Sequence, residues 1–249
     1  MALQARNQRQ SAHDEESFFV SMTDMMVGML FLFIIMLMFF AMKFNEAAVK
    51  KIEVVENLTN AEETRGKILQ DIKKALDAEG VTVVIDLDNG ILRLPEEILF
   101  DRGKSALSVR GQNAVVSLSK ALFRVLPCYT DSATPACGKI RHQVESVFVE
   151  GHTDTDGEDN LNWNLSFQRS LSTFEFLQKA SPALVALKNR DGQIIISLSG
   201  YGKQRPLNAN STPEEKAQNR RIDIRFIMSP PKAIELRGEG TAAQRESGT

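Results

Sequence analysis

Two places in this 249-residue sequence hold ionisable side chains whose type and spacing could do chemistry. The first is Asp24, the sole charged residue in the run FFVSMTDMMVGMLFLFIIMLMFFAM from Phe18 to Met42. A carboxylate facing lipid costs at least a few kcal/mol, so this one should face water or a protein partner. Ser21 at i−3 and Gly28 at i+4 share its helical face and offer a small, polar strip for a second helix. Such a carboxylate either glues helices together or carries a proton down the membrane potential, a gain of about 2.3 kcal/mol per charge per 100 mV. The second place is Asp154 with Arg169, a carboxylate just after a strand-like stretch and a guanidinium inside the following helical stretch. The two can converge on a ligand that carries both charges, the fork of Arg169 taking a carboxylate and Asp154 an ammonium. They could equally bond each other and merely hold the loop.

Other chemistries fit less well. Asp154, Asp156, Glu158 and Asp159 cluster around Gly157, but the D-x-D-G-E-D order lacks the alternating ligands and closing Glu of a calcium loop. His13, His142 and His152 are scattered without metal-ligand spacing, and His152 is expected to be a structural hydrogen-bonder at a strand end. No nucleophile–base motif or phosphate-binding glycine loop occurs, so an enzyme of covalent chemistry is not expected, nor a bound metal or cofactor. With 30 Lys+Arg against 32 Asp+Glu the chain has a formal charge of −2, which argues against direct nucleic-acid binding.

These residues need elements to position them. Seven of the nine methionines and six of the fourteen phenylalanines fall within 18–42, a stretch long enough to span a hydrocarbon core of about 30 Å. It exceeds the apolar region of a signal peptide, and no Ala-x-Ala site follows, so an uncleaved single-pass anchor is expected. Arg6 and Arg9 before it and Lys43, Lys50 and Lys51 after it leave its orientation open. Residues 43–67 read as a juxtamembrane helix or linker, with Thr59, Asn60 and Gly66 loosening the pattern before Ile68, Leu69, Ile72 and Leu76 resume it. Val81–Leu87 and Ile91–Leu94 form a hairpin about Asp88-Asn89-Gly90, and Ser108–Leu126 an amphipathic helix whose apolar face includes Val109. Val144–Val149, Ile194–Leu198 and Arg221–Met228 read as strands, with a helix from about Asn162 to Lys179. The fold class is therefore α+β: a single N-terminal transmembrane helix and an α/β sandwich, a mixed sheet with helices packed on one face. Residues 229–249, opening on Pro230-Pro231, lack apolar periodicity and are expected to be disordered.

Five blocks of the C-terminal region resemble the OmpA-like peptidoglycan-binding domain in order and spacing. They are Phe100-Asp101-x-Gly103-Lys104-Ser105 with Leu107-Ser108-x-x-Gly111, then Val149-Glu150-Gly151-His152-Thr153-Asp154-x-x-Gly157, Asn162-x-x-Leu165-Ser166-x-x-Arg169-Ser170, Gly200-Tyr201-Gly202 and Asn219-Arg220-Arg221. The resemblance covers residues 68–228. It implies non-covalent binding of the diaminopimelate-bearing stem peptide of the cell wall, with Asp154 and Arg169 as the ligand contacts and Thr153, Asn162 and Leu165 lining the same groove. Because cell wall lies outside the inner membrane, it also implies a periplasmic domain and a short cytoplasmic N-terminus over 1–17. In that oxidising compartment Cys128 and Cys137, which flank a Pro-, Ser- and Thr-containing loop, would pair as a disulfide.

An inner-membrane anchor with one carboxylate joined to such a domain resembles the B subunits of ion-driven stators, the flagellar MotB type. The resemblance implies a homodimer inside a pentameric MotA/ZorA-like membrane subunit, with Asp24 taking up and releasing the transported ion, H+ by expectation. The flagellar pattern carries Trp and Ala around its Asp. Here the run is Met22-Thr23-Asp24-Met25-Met26-Val27-Gly28-Met29-Leu30, which is similar to the Zorya anti-phage type of B subunit. A flagellar-type stator subunit and a non-transporting cell-wall tether are the alternatives, and whether 43–66 plugs a channel at rest stays open.

Overall fold

The computed structural model describes residues 2–138 and 142–230, and side chains among these from residue 23 onward, residue 53 excepted. The expected disordered tail lies outside the described residues from 231 on, as do the side chains of the expected cytoplasmic N-terminus. The chain divides into two compact units, 1–55 and 56–249.

Helix α1 runs over Ala2–Ala78. In the first unit every large apolar side chain from Met25 to Met42 is exposed on the isolated chain. A helix apolar on all sides has no single core-facing stripe, and this one is long enough for a bilayer to solvate it. Lys43 and Lys50 then flank Glu46 at 3.3 and 2.8 Å, marking the return of a water-facing surface.

In the second unit α1 continues through the loosened stretch at Thr59, Asn60 and Gly66. One helical glycine costs only about 1 kcal/mol. Ile68, Leu69, Ile72 and Leu76 are fully buried, and each such side chain returns about 1.5–3 kcal/mol. Arg65 Nη2 donates to the Asp88 carbonyl at 3.0 Å, tying the helix to the first hairpin turn.

Strands β1 (Val84–Asp86), β2 (Ile91–Pro95), β3 (Val144–His152), β4 (Ile196–Gly200) and β5 (Arg221–Met228) form one sheet in the order β1-β2-β5-β3-β4. Only β3 and β4 are parallel; the other pairs are antiparallel. Alternation decides the two faces. Ile222, Ile224 and Phe226 of β5 join Leu92, Leu94, Val147 and Val149 in the core, together with Ile68 and Ile72 of α1 and the apolar faces of the later helices. Those helices are α2 (Glu96–Leu99), α3 (Val109–Val125), α4 (Asp159–Ala180) and α5 (Pro182–Val185), whereas the polar α6 (Pro213–Asn219) adds no residue to the core. Arg93, Glu150, His152, Arg221, Asp223 and Arg225 alternate with the core residues along their strands. The fold is thus the α+β arrangement read from the sequence, a mixed sheet with helices packed on one face.

Ser108 caps α3 by accepting from the Gly111 N–H at 3.0 Å. Val109 is not on the buried face: it is 77% exposed, because it lies about 120° around the helix from Val115. Beyond α3, Cys128 and Cys137 form a disulfide, with Sγ–Sγ 2.04 Å.

Candidate functional site

Strand β3 ends at His152 and delivers Thr153 and Asp154 to the mouth of the sheet, beside the first turns of α4. Glycine makes this approach possible: a Cβ on Gly151 would stand 2.0 Å from the Ser166 carbonyl oxygen of α4. Asp154 Oδ1 accepts from the Asp156 N–H at 3.0 Å, which fixes the carboxylate in a tight side-chain turn. Its Oδ2 accepts from Arg220 Nη1 at 2.7 Å.

Arg220 also stands 2.7 Å through Nε from Glu96 Oε2. The other oxygen of Glu96 accepts from Arg169 Nη2. Arg169 Nε donates to the Lys104 carbonyl at 2.9 Å, and its guanidinium lies over the Phe100 ring, 5.2 Å from the centroid. Asp154, Arg220, Glu96 and Arg169 therefore form one charge-balanced array of two acids and two bases. The structure brings Asp154 and Arg169 to the same site but does not pair them directly; Arg220 and Glu96 stand between.

Exposure separates the two guanidiniums. Arg169 is 2% exposed, and burial pulls its pKa below the ordinary arginine value despite the Glu96 carboxylate. The Arg220 side chain is 31% exposed. Burial opposes its charge too, but the hydrogen bond to Asp154 and the Glu96 carboxylate outweigh it and hold Arg220 above the ordinary value.

Thr153 is buried and its backbone N–H donates to the Gly202 carbonyl at 2.9 Å. Its hydroxyl has no hydrogen-bond partner among the described residues, which leaves a buried polar atom at the site free for a ligand. Asn162 Nδ2 donates to the Asp156 carbonyl at 3.0 Å, closing the loop onto α4. Leu165, one turn further, is half-buried. Sequence reading missed Glu96 and Arg220 as members of this site. Arg220 sat in the Asn219-Arg220-Arg221 block and could have been found there; Glu96 looks like an ordinary acid in a helix's first turn.

Two acids of the cluster are committed to lysines. Asp156 pairs with Lys216 and Asp159 with Lys203, each at 2.5 Å, and the Lys216 hydrogen bond holds Asp156 below the usual carboxylate range. Glu150, His152 and Asp223 bring three potential metal ligands together on the sheet's polar face. Arginines already occupy all four carboxylate oxygens: Arg225 both oxygens of Glu150 at 2.9 Å, Arg93 and Arg221 those of Asp223 at 3.2 and 3.0 Å. Three guanidiniums against two carboxylates make this a poor cation site.

The expectation that His152 is a hydrogen-bonder is corrected by the same cluster. Neither ring nitrogen has a hydrogen-bond partner among the described residues, and the ring stacks on Tyr201 at 5.4 Å. Burial first, then the surrounding arginines 221, 205, 225 and 93, lower its pKa to about 2 and keep it neutral. Crowding by cations, with the carboxylates at 3.6 and 3.9 Å and turned to arginine, leaves it a packing spacer.

Residues 135–220, which include Asp154, Arg169 and Arg220, match the OmpA family, on a chain that also carries an N-terminal apolar helix. Over 88% of its length the chain is similar to Zorya protein ZorB of Escherichia coli O139:H28 (strain E24377A / ETEC), 26% identical over 224 residues that cover 83% of that protein. It is also similar to Motility protein B of Bacillus subtilis (strain 168), 25% identical across 69% of this chain and 57% of that one. Peptidoglycan-binding protein ArfA of Mycobacterium tuberculosis (strain ATCC 25618 / H37Rv) is 31% identical over 112 residues, 45% of this chain and 30% of that one.

Proposed function

We propose that the chain is the wall-anchored B subunit of an ion-driven inner-membrane motor, and that it serves anti-phage defence of the Zorya type. The observation that carries this reading is the union in one chain of a carboxylate, Asp24, within an all-round apolar helix and the Asp154–Arg220–Glu96–Arg169 array on an OmpA-type fold. The similarity to Zorya protein ZorB extends over both parts.

In this reading the helix crosses the inner membrane once, the N-terminus is cytoplasmic and the domain is periplasmic, a compartment in which the Cys128–Cys137 disulfide persists. Asp24 binds and releases a proton as it meets a pentameric MotA/ZorA-like subunit around a dimer of this chain. The transported proton takes the place of any cofactor, and no catalytic step is required. The domain holds the frame still by gripping the diaminopimelate end of a wall stem peptide. The ligand's ammonium competes with Arg220 for Asp154, its carboxylate meets the guanidinium pair, and Thr153, Asn162 and Leu165 line the groove. Exchange of one ion pair for another keeps the site neutral throughout, which limits the desolvation cost of binding.

The test is phage plaquing on cells carrying the native operon, with Asp24→Asn and Asp154→Asn compared to wild type at matched membrane levels. Asn keeps size and hydrogen bonding but cannot cycle a proton or balance an ammonium. Loss of protection in both, with Asp154→Asn also failing to retain the protein on purified sacculi, supports the reading. Full protection by Asp24→Asn removes ion-driven rotation and leaves a tether. The similarity to Motility protein B favours one second reading, a flagellar-type stator, and restored swimming without phage protection would select it.

A further inference from the structure

On the face of the sheet that the core helices leave uncovered, a cavity of about 390 Å³ opens between strands β1, β2 and β5 and helix α6. That is the size of a small-molecule site. Its walls are aliphatic: Val84 and Pro95 from the strands, Leu207 from the loop before α6 and Ala217 from α6. Val84 is 54% and Leu207 42% exposed, so both hold apolar surface in water that an occupant would cover. The Leu207 wall is fixed in place, because the buried Asn219 accepts through Oδ1 from the N–H groups of Leu207 and Asn208 at 2.6 and 3.2 Å. No residue of the Asp154 array lines this cavity.

Arg93 and Arg221 supply the charged part of the lining. Arg221 is buried and spends its nitrogens on Asp223, the Asn219 carbonyl and the Arg205 carbonyl. Arg93 gives Nε to Asp223 and Nη2 to Asp86, and its Nη1 donates to no group among the described residues. Across this face Arg93, Arg205, Arg221 and Arg225 stand against Asp86, Glu150 and Asp223 beside a neutral His152, which leaves positive charge in excess. A guanidinium with an unused N–H beside an aliphatic wall suits a carboxylate carried on a short hydrocarbon group: the fork takes the oxygens and the walls take the hydrocarbon. Glu97, also in the lining, is exposed, so water screens its charge, and it can accept an amide N–H next to that carboxylate.

We propose that this cavity binds a carboxylate on a short aliphatic group, the chemistry shared by the C-terminal residue of a polypeptide and a free branched-chain acid. The site is independent of the wall-binding reading above. Three probes are titrated by calorimetry into the full-length protein in detergent: acetylated alanyl-leucine with a free C-terminus, the same dipeptide as its amide, and 4-methylpentanoate.

The expected result is that the dipeptide acid binds about tenfold tighter than its amide. Arg93→Gln should lose that preference. Ala217→Phe, which fills the cavity from α6 without touching an ion pair, should lose binding of both acids while keeping the wild-type Tm, and Asp154→Asn should leave their binding unchanged. Binding of 4-methylpentanoate as tight as that of the dipeptide acid assigns the cavity to a free acid, and a clear preference for the dipeptide assigns it to a polypeptide terminus; both uphold a carboxylate pocket. Binding of neither acid, or equal binding of the dipeptide acid and its amide, overturns it. Loss of binding in Asp154→Asn but not in Ala217→Phe overturns it too, because the probe then sits in the wall site.

Discussion

Replacing Glu96 with Gln tests the charge array at its most sensitive point. Glu96 is 6% exposed and lies between Arg169, 2% exposed, and Arg220, whose side chain is 31% exposed. Without the carboxylate, Arg220 still has Asp154 and can turn to water, but Arg169 keeps a buried charge with only the Lys104 carbonyl and the Phe100 face beside it. Removing one partner of a buried pair costs about 3–5 kcal/mol. The Gln oxygen still accepts a hydrogen bond, so the lower end, about 3 kcal/mol, is expected. For a domain of this size about 2–4 °C accompanies each kcal/mol, which puts the fall in Tm at about 6–12 °C. Near-UV circular dichroism of the full chain in detergent reads it directly. The double variant Glu96→Gln/Arg169→Met removes the stranded charge and should recover at least half the loss. A fall below about 2 °C, or a double variant no more stable than Glu96→Gln, would refute the view that this array is a buried, mutually compensated set.

Two further outcomes are expected. His152 is neutral when folded, with a pKa lowered to about 2, against about 6.5 when unfolded. Its stabilising contribution is therefore complete above about pH 6.5 and is lost at about 1.4 kcal/mol per unit as pH falls below that, since the unfolded chain takes up a proton the folded one refuses. His152→Phe should flatten the stability profile between about pH 6.5 and 4.5 and stay at least as stable as wild type at about pH 8; an unchanged acid slope in denaturant titrations would contradict this. Non-reducing mass spectrometry should find Cys128 linked to Cys137, and replacing both with Ser should cost about 2.5–3 kcal/mol, the chain-entropy value for so short a loop; free thiols in protein recovered from the periplasm would count against the proposed topology.

What the sequence determined by itself is local. The run from Phe18 to Met42 specifies an apolar helix because transfer into lipid is summed residue by residue and needs no tertiary partner. RIDIRFIM specifies a strand with Ile222, Ile224 and Phe226 on one face because the pleat has a period of two. Even the Ser108 cap and the Asp154 turn are legible, since each is made within three residues. Tertiary structure decided what depends on register and crossover. Helix α1 persists past Gly66 because four aliphatic side chains dock on a sheet whose strands come later in the chain. Glu96 enters the site because β2 pairs with β5, with Pro95 opposite Arg221, which sets the Glu96 N–H on the Arg220 carbonyl and the two side chains together. His152 loses its hydrogen bonds because three strands align Arg93, Arg221 and Arg225 around it. Such meetings join residues as far as 130 positions apart, and only the packed sheet fixes which charges face which.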